Sequence, residues 1–140
     1  MAPPARRPRA TSPSRERLAE VRRALLRLHK ALIDAERRSF EARNGPLSNG
    51  RFLQLLIQDP SFEWLGPYTA LIVAMDEALA GEEPAGPETL RDYLERTHAL
   101  VAPEPASDAN ERLERARAAD AAVRAAHAEL TRQMAAADGG

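Results

Sequence analysis

Aromatic residues are concentrated in one central window of this 140-residue chain, and that window constrains the fold most. Five of the six aromatic residues lie in it: Phe40, Phe52, Phe62, Trp64 and Tyr68. The same window contains two turn-forming segments, NGPLSNG and DPSFEWLGP. Because Pro, Gly and Asn interrupt helices while large rings need burial, the window predicts short helical segments joined by tight corners around packed rings.

The segment before this window has the hydrophobic spacing of one long amphipathic helix. Its apolar residues recur at alternating intervals of three and four: Leu18, Val21, Leu25, Leu28, Leu32 and Ala35. Pro13 next to Ser12 or Ser14 is typical of a helix start, and Asn44-Gly45-Pro46 predicts the end. At ~1.5 Å per residue such a helix is about 45 Å long, which exceeds what a compact domain of this size needs. We therefore expect part of it to pack on another chain.

The remaining segments also predict helices. A short helix over 49–58 is apolar nearly all round, which predicts burial on several sides. A single tight turn follows at 60–65, then helices at 67–80, 87–101 and 108–137, with an exposed loop over 82–86. No segment alternates with a period of two, so the predicted fold class is all-α, a small helical bundle of four to five helices with long first and last helices.

Domain organisation follows from composition. Residues 1–13 are rich in Pro, Ser and Arg and have almost nothing to bury, so they predict a disordered basic leader. Residues 14–137 are expected to form a single helical domain. No apolar run follows the leader, as a secretory signal would require, so we expect a cytoplasmic protein. No stretch approaches the ~20 apolar residues that span a bilayer, and no membrane association is expected.

Charge and residue usage exclude several function classes. The net charge is −1 although 29% of residues are charged, so no overall electrostatic field favours binding to nucleic acid. The one alternative is a contact with nucleic acid through Arg6, Arg7 and Arg9 of the leader. The chain has no cysteine and therefore no thiolate ligand or disulfide. No segment matches a catalytic motif or a phosphate loop. We predict no catalytic residue, no metal ligand and no cofactor.

A row of polar residues on the first helix is the main candidate for a site. Arg22, His29, Glu36 and Arg43 are each seven residues apart and fall between two apolar rows. Half-buried polar groups need partners, so the simplest interpretation is a network in which His29 or an Arg meets Asp76 and fixes the helix register. The alternative is that His29, Glu36 and Asp76 converge as a ligand, metal or proton-transfer site inside the bundle.

The rings of the central window have two possible roles as well. Phe62, Trp64 and Tyr68 either fill the core beside the Pro corners or form the wall of a ligand pocket or the anchor for a partner. In a chain with so few aromatic residues, filling the core is the simpler interpretation. We therefore name these three residues, with His29, Glu36 and Asp76, as the candidate binding residues.

About residues 25–79 carry a series of short motifs in a recognisable order. They are LHK, ER, a glycine-rich turn, DP-x-F-x-WL and DE. In this order they resemble a family of small, uncharacterised bacterial helical proteins of unknown function. The resemblance implies a bacterial source and a helical domain, and it implies no catalytic residue.

Together these features predict a non-enzymatic helical interaction or assembly protein of unknown pathway. We expect it to self-associate through the long first helix, so the predicted partner is a second copy or another protein. The alternative is a ligand- or metal-binding helical bundle, including an enzyme, that uses His29, Glu36 and Asp76.

Overall fold

Helices account for nearly all of residues 12–81, 85–102 and 107–139, the part of the chain that the computed structural model describes, and no strand occurs there. In order they are α1 (Pro13–Asn44), α2 (Asn49–Gln58), a 3₁₀ helix (Pro60–Leu65), α3 (Gly66–Ala80), α4 (Pro87–Val101), α5 (Asp108–Ala119) and α6 (Ala121–Gly139). The all-α fold class is confirmed. The predicted count of four to five helices is slightly too low, because these residues form six α-helices.

The ends of α1 lie where the sequence predicts them. The hydroxyl of Ser12 accepts the amide hydrogen of Arg15 at 3.0 Å, and Pro13 occupies the first turn. At the other end Gly45 has φ of +88°, a value that favours glycine, and its amide donates to the carbonyl of Glu41 at 2.8 Å. The predicted leader lies outside the described residues up to position 11.

The long helix α1 is the centre of the bundle, and α3 and α6 pack along it. Arg22 pairs with Asp76 while the later His29 meets the earlier Thr69, so α1 and α3 run antiparallel. Four leucines of α1 are fully buried between these neighbours: Leu18, Leu25, Leu28 and Leu32. Helix α4 closes the bundle against α1, α3 and α6.

The predicted last helix over 108–137 is in fact two helices. Asp120 separates α5 from α6 with extended backbone angles, φ −133° and ψ 117°. Its carboxylate accepts the amide hydrogen of Val123 at 3.1 Å and pairs with Arg38 of α1. A single Asp within an Ala-rich run gives little sequence warning, but its side chain competes with the helical backbone and starts a new helix.

The prediction that α2 is buried on several sides is wrong. Only Phe52 of this helix is buried, whereas Leu53 is 57% exposed and Ile57 is 76% exposed. Phe52 packs edge-on against Phe62 of the 3₁₀ helix, and the guanidinium of Arg37 lies 5.0 Å from the centre of its ring. The helix is therefore attached on one side, and its opposite side faces solvent.

The loop predicted to be exposed over 82–86 is in part packed against the bundle. Ala85 is buried, and its carbonyl accepts the hydroxyl hydrogen of Ser12 at 3.0 Å. The positions 82–84 lie outside the described residues.

Candidate functional site

The polar row of α1 lies along the contact of α1 with α3 and the 3₁₀ helix, here called the α1–α3 seam. Arg22 pairs with Asp76, and His29 meets Thr69, so the spacing of seven residues on α1 is matched by a spacing of seven on α3. Glu36 continues the row toward Trp64 of the 3₁₀ helix. Of the two predicted partners for Asp76, His29 or an arginine, the structure has an arginine, Arg22.

His29 is half-buried in the middle of the seam. Its Nε2 lies 3.2 Å from the hydroxyl oxygen of Thr69, and its ring stacks on Tyr68 with centroids 6.2 Å apart. Burial lowers the pKa of the imidazole, because the charged form loses solvation without gaining a carboxylate partner. A neutral His29 with a hydroxyl partner is a packed polar residue rather than an activated base.

Glu36 is the residue of the polar row whose surroundings act on its pKa in opposite directions. Burial raises the pKa of its carboxyl group, although Arg112, Arg43, Arg115 and the indole N–H of Trp64 act in the opposite direction. That buried indole nitrogen forms no hydrogen bond of normal geometry within the described residues. Glu36 therefore lies where α1, the 3₁₀ helix and α5 come together, and the arginines of α5 partly compensate its burial.

Asp76 does not face the interior. It is an exposed residue on α3, and its carboxylate pairs with Arg22, whose side chain is 30% exposed. His29, Glu36 and Asp76 thus have separate partners along the seam rather than one shared centre. Within the described parts of the chain, no group of three or more His, Cys, Asp or Glu side chains is placed to hold a metal ion.

The three candidate rings pack in the interior. Phe62, Trp64 and Tyr68 are each less than 10% exposed. Trp64 meets Tyr68 edge-on with centroids 6.0 Å apart, and Phe62 lies between Phe52 and Phe40 at 6.0 and 6.2 Å. The rings join the 3₁₀ helix to α1, α2 and α3, as the core-filling interpretation predicts, and they leave little surface for a ligand.

Two grooves lie away from these candidates. An open groove of about 430 Å³ between α3 and α4 is lined mainly by alanine and leucine, with Arg96 at its edge. A smaller, polar groove of about 150 Å³ lies between α1 and α6, where Glu20 and Arg27 face Glu129 and Gln133. The first groove is apolar and the second is lined by charges of both signs.

The exposed apolar residues form the feature that the sequence did not locate. Four large apolar side chains of the described residues are exposed: Leu26, Leu53, Ile57 and Val73. Leu53 and Ile57 are the most exposed of them and are one helical turn apart on α2, so they share one face. The all-round apolar character of 49–58 was the available signal, but it did not reveal which side the bundle leaves open.

Comparison of the chain with protein families, with curated proteins and with solved structures finds no match. The resemblance to a family of small bacterial helical proteins therefore stays a prediction. None of the described helices combines the length and apolar character needed to cross a membrane.

Proposed function

We propose that this chain is a non-enzymatic helical interaction protein that self-associates through the exposed face of α2. The observation that supports the proposal is the pair Leu53 and Ile57, which are 57% and 76% exposed on adjacent turns. Most other large apolar side chains of the described residues are covered by the bundle. Adjacent exposed apolar residues on one helix face are typical of interaction surfaces.

The proposed surface differs from the one expected on α1. Helix α1 is long, but α3, α4 and α6 pack along it and bury Leu18, Leu25 and Leu32, and Leu26 is its only large apolar residue among the exposed ones. Leu26 is 40% exposed, which leaves most of its side chain packed. We therefore place the proposed self-association on α2.

A second copy of the chain fits the composition of α2. In a chain with 29% charged residues, α2 carries Arg51 and no acidic residue. Its exposed face otherwise consists of apolar and amide side chains, including Gln54 and Gln58. Such a surface can contact the same surface of a second copy with little repulsion, because few like charges would lie opposite each other.

The two apolar residues supply a useful but limited free energy. Full burial of an aliphatic side chain contributes about 1.5–3 kcal/mol. The exposed fractions of Leu53 and Ile57 therefore correspond to about 2–4 kcal/mol when a partner covers them. Association itself costs at least about 4 kcal/mol, so further contacts must contribute and the expected complex is weak.

Size-exclusion chromatography with light scattering tests the proposal. The wild-type chain should show a mass above 15.4 kDa that rises with concentration in the micromolar to millimolar range. For the double variant Leu53→Gln/Ile57→Gln, the concentration at which half of the chains are associated should rise ~30-fold or more, since 1.4 kcal/mol corresponds to a factor of ten. The matched control Leu26→Gln/Val73→Gln removes the other two exposed apolar residues and should associate like wild type. A wild-type chain that remains monomeric throughout would contradict the proposal.

A further inference from the structure

The corner between α1 and α2 is held by one arginine of α1. Nη2 of Arg37 donates to the main-chain carbonyl of Leu47 at 2.7 Å, and Nη1 donates to the side-chain oxygen of Asn49 at 2.9 Å. Its Nε donates to the carboxylate of Glu41 at 3.2 Å. All three nitrogens of the guanidinium therefore have an acceptor, and two of these acceptors lie beyond the end of α1.

Glu41 holds the same corner from one turn further along α1. One oxygen of its carboxylate accepts from Arg37, and the other accepts the amide hydrogen of Leu47 at 2.9 Å. Leu47 is thus held at both its amide and its carbonyl by one ion pair, here called the Arg37–Glu41 clamp. The two side chains of the clamp are only 27% and 28% exposed. Hydrogen bonds from such ionised groups to the main chain are stronger than an exposed ion pair alone.

Apolar contacts attach α2 to the bundle on one side only. Phe52 is its one buried residue, and Leu56 is partly buried against the core. The clamp contacts this segment at three points: Leu47 before α2, Asn49 in its first turn, and the ring of Phe52, which lies 5.0 Å from the guanidinium of Arg37. Because two apolar side chains on one side leave a helix free to tilt, the clamp is the contact that fixes the direction of α2.

We propose that Arg37 is a positioning residue that, through the clamp, fixes the direction in which α2 presents Leu53 and Ile57 and so controls self-association. This inference rests on the proposed function and adds its regulation. Arg37 contacts Phe52 on the attached side of α2, so it acts through the orientation of the helix rather than by touching a second copy. A surface that is already held in one orientation loses less freedom on binding, which matters most for a weak complex.

Hydrogen exchange of dilute, unassociated protein tests the clamp by itself. Arg37→Gln should make the main-chain amides of α2 exchange about tenfold faster or more, because loss of the clamp's hydrogen bonds eases local opening. Asn49→Ala removes one acceptor and should have a smaller effect in the same direction. The matched control Arg17→Gln removes an arginine that pairs with Glu20 within α1 and should leave α2 unchanged. Amides of α3 and α6 should exchange as in wild type in all three variants, because the bundle stays folded.

Sedimentation velocity at higher concentration then tests the control of association. In Arg37→Gln, the concentration at which half of the chains are associated should rise about tenfold although Leu53 and Ile57 are unchanged, whereas Arg17→Gln should associate like wild type. Unchanged exchange of α2 in Arg37→Gln would overturn the inference, and so would faster exchange with unchanged association. A wild-type chain that never associates would instead remove the proposed function, while the exchange rates would still decide whether Arg37 holds α2.

Discussion

Replacement of Asp120 by alanine should destabilise the protein through two separate losses. The carboxylate caps α6 by accepting the amide hydrogen of Val123 at 3.1 Å, and it pairs with Arg38. Loss of an Asp cap costs about 1 kcal/mol, within a range of about 0.5–2 kcal/mol. The side chain of Arg38 is 61% exposed, so the ion pair adds at most about 1 kcal/mol. The expected total is about 1–2 kcal/mol.

Thermal and urea unfolding of three proteins separate these terms. For a chain of this length, 1 kcal/mol corresponds to a change in Tm of about 3–5 °C. Asp120→Ala should therefore lower Tm by about 3–10 °C. Asp120→Asn keeps a capping side chain and loses only the charge, so its decrease should be less than half as large. The control Asp92→Ala removes an exposed carboxylate within α4 that pairs with Arg96 and should change Tm little.

The stabilisation by Asp120 should also depend on pH. Desolvation raises the pKa of this carboxyl group, but hydrogen bonds from the Val123 amide and from Arg38 outweigh it and leave the pKa below its usual value. The folded state therefore favours the charged form, so the advantage over Asp120→Asn is fully present above pH ~4. It is lost as pH falls through the lowered pKa. An Asp120→Ala protein with unchanged or higher Tm would refute the reasoning, because it would mean that α5 and α6 gain by forming one continuous helix.

Two further predictions concern the seam and the rings. Glu36→Gln should raise the stability at pH 7, because burial raises the pKa of Glu36 and the folded state disfavours its charge. In urea titrations the gain should vanish in acid, where the wild-type residue is protonated. A loss of stability at pH 7 would show that the arginines around Glu36 dominate over its burial. Phe62→Ala should lower the free energy of unfolding by about 3–5 kcal/mol, because it removes a buried ring. Leu53→Gln and Ile57→Gln should each change it by less than about 0.5 kcal/mol. Equal losses for all three variants in urea unfolding would contradict the burial assigned to α2.

Local signals predicted the helices well, and the reason is visible in their ends. Ser12 with Pro13 forms the expected capping bond at 3.0 Å, and Asp59 with Pro60 forms a similar one at 2.9 Å. Such caps depend on residues within three positions, so the sequence contains the whole cause. The polar row of α1 also indicated where α1 meets α3, because half-buried polar residues on one face of a helix need polar partners on the neighbouring helix.

The errors concern which surface is covered, and this depends on distant parts of the chain. The apolar residues of α2 predict burial, yet α2 is attached through Phe52 and leaves Leu53 and Ile57 open. The length of α1 suggested that part of its apolar surface would be left uncovered, yet α6, which is distant in the sequence, packs along it. The alternative interpretation expected Asp76 inside the bundle with His29 and Glu36, but its position beside Arg22 is on the solvent side. Periodicity gives the faces of a helix but not its neighbours.

Methyl NMR over a dilution series tests the central claim, self-association through α2, most directly. The methyl resonances of Leu53 and Ile57 should shift with concentration along a single binding curve. The resonances of Leu26 and Val73, which are also exposed, should stay constant and serve as internal controls. Resonances of Leu53 and Ile57 that do not move up to millimolar concentration, or shifts confined to Leu26 and Val73, would contradict the account.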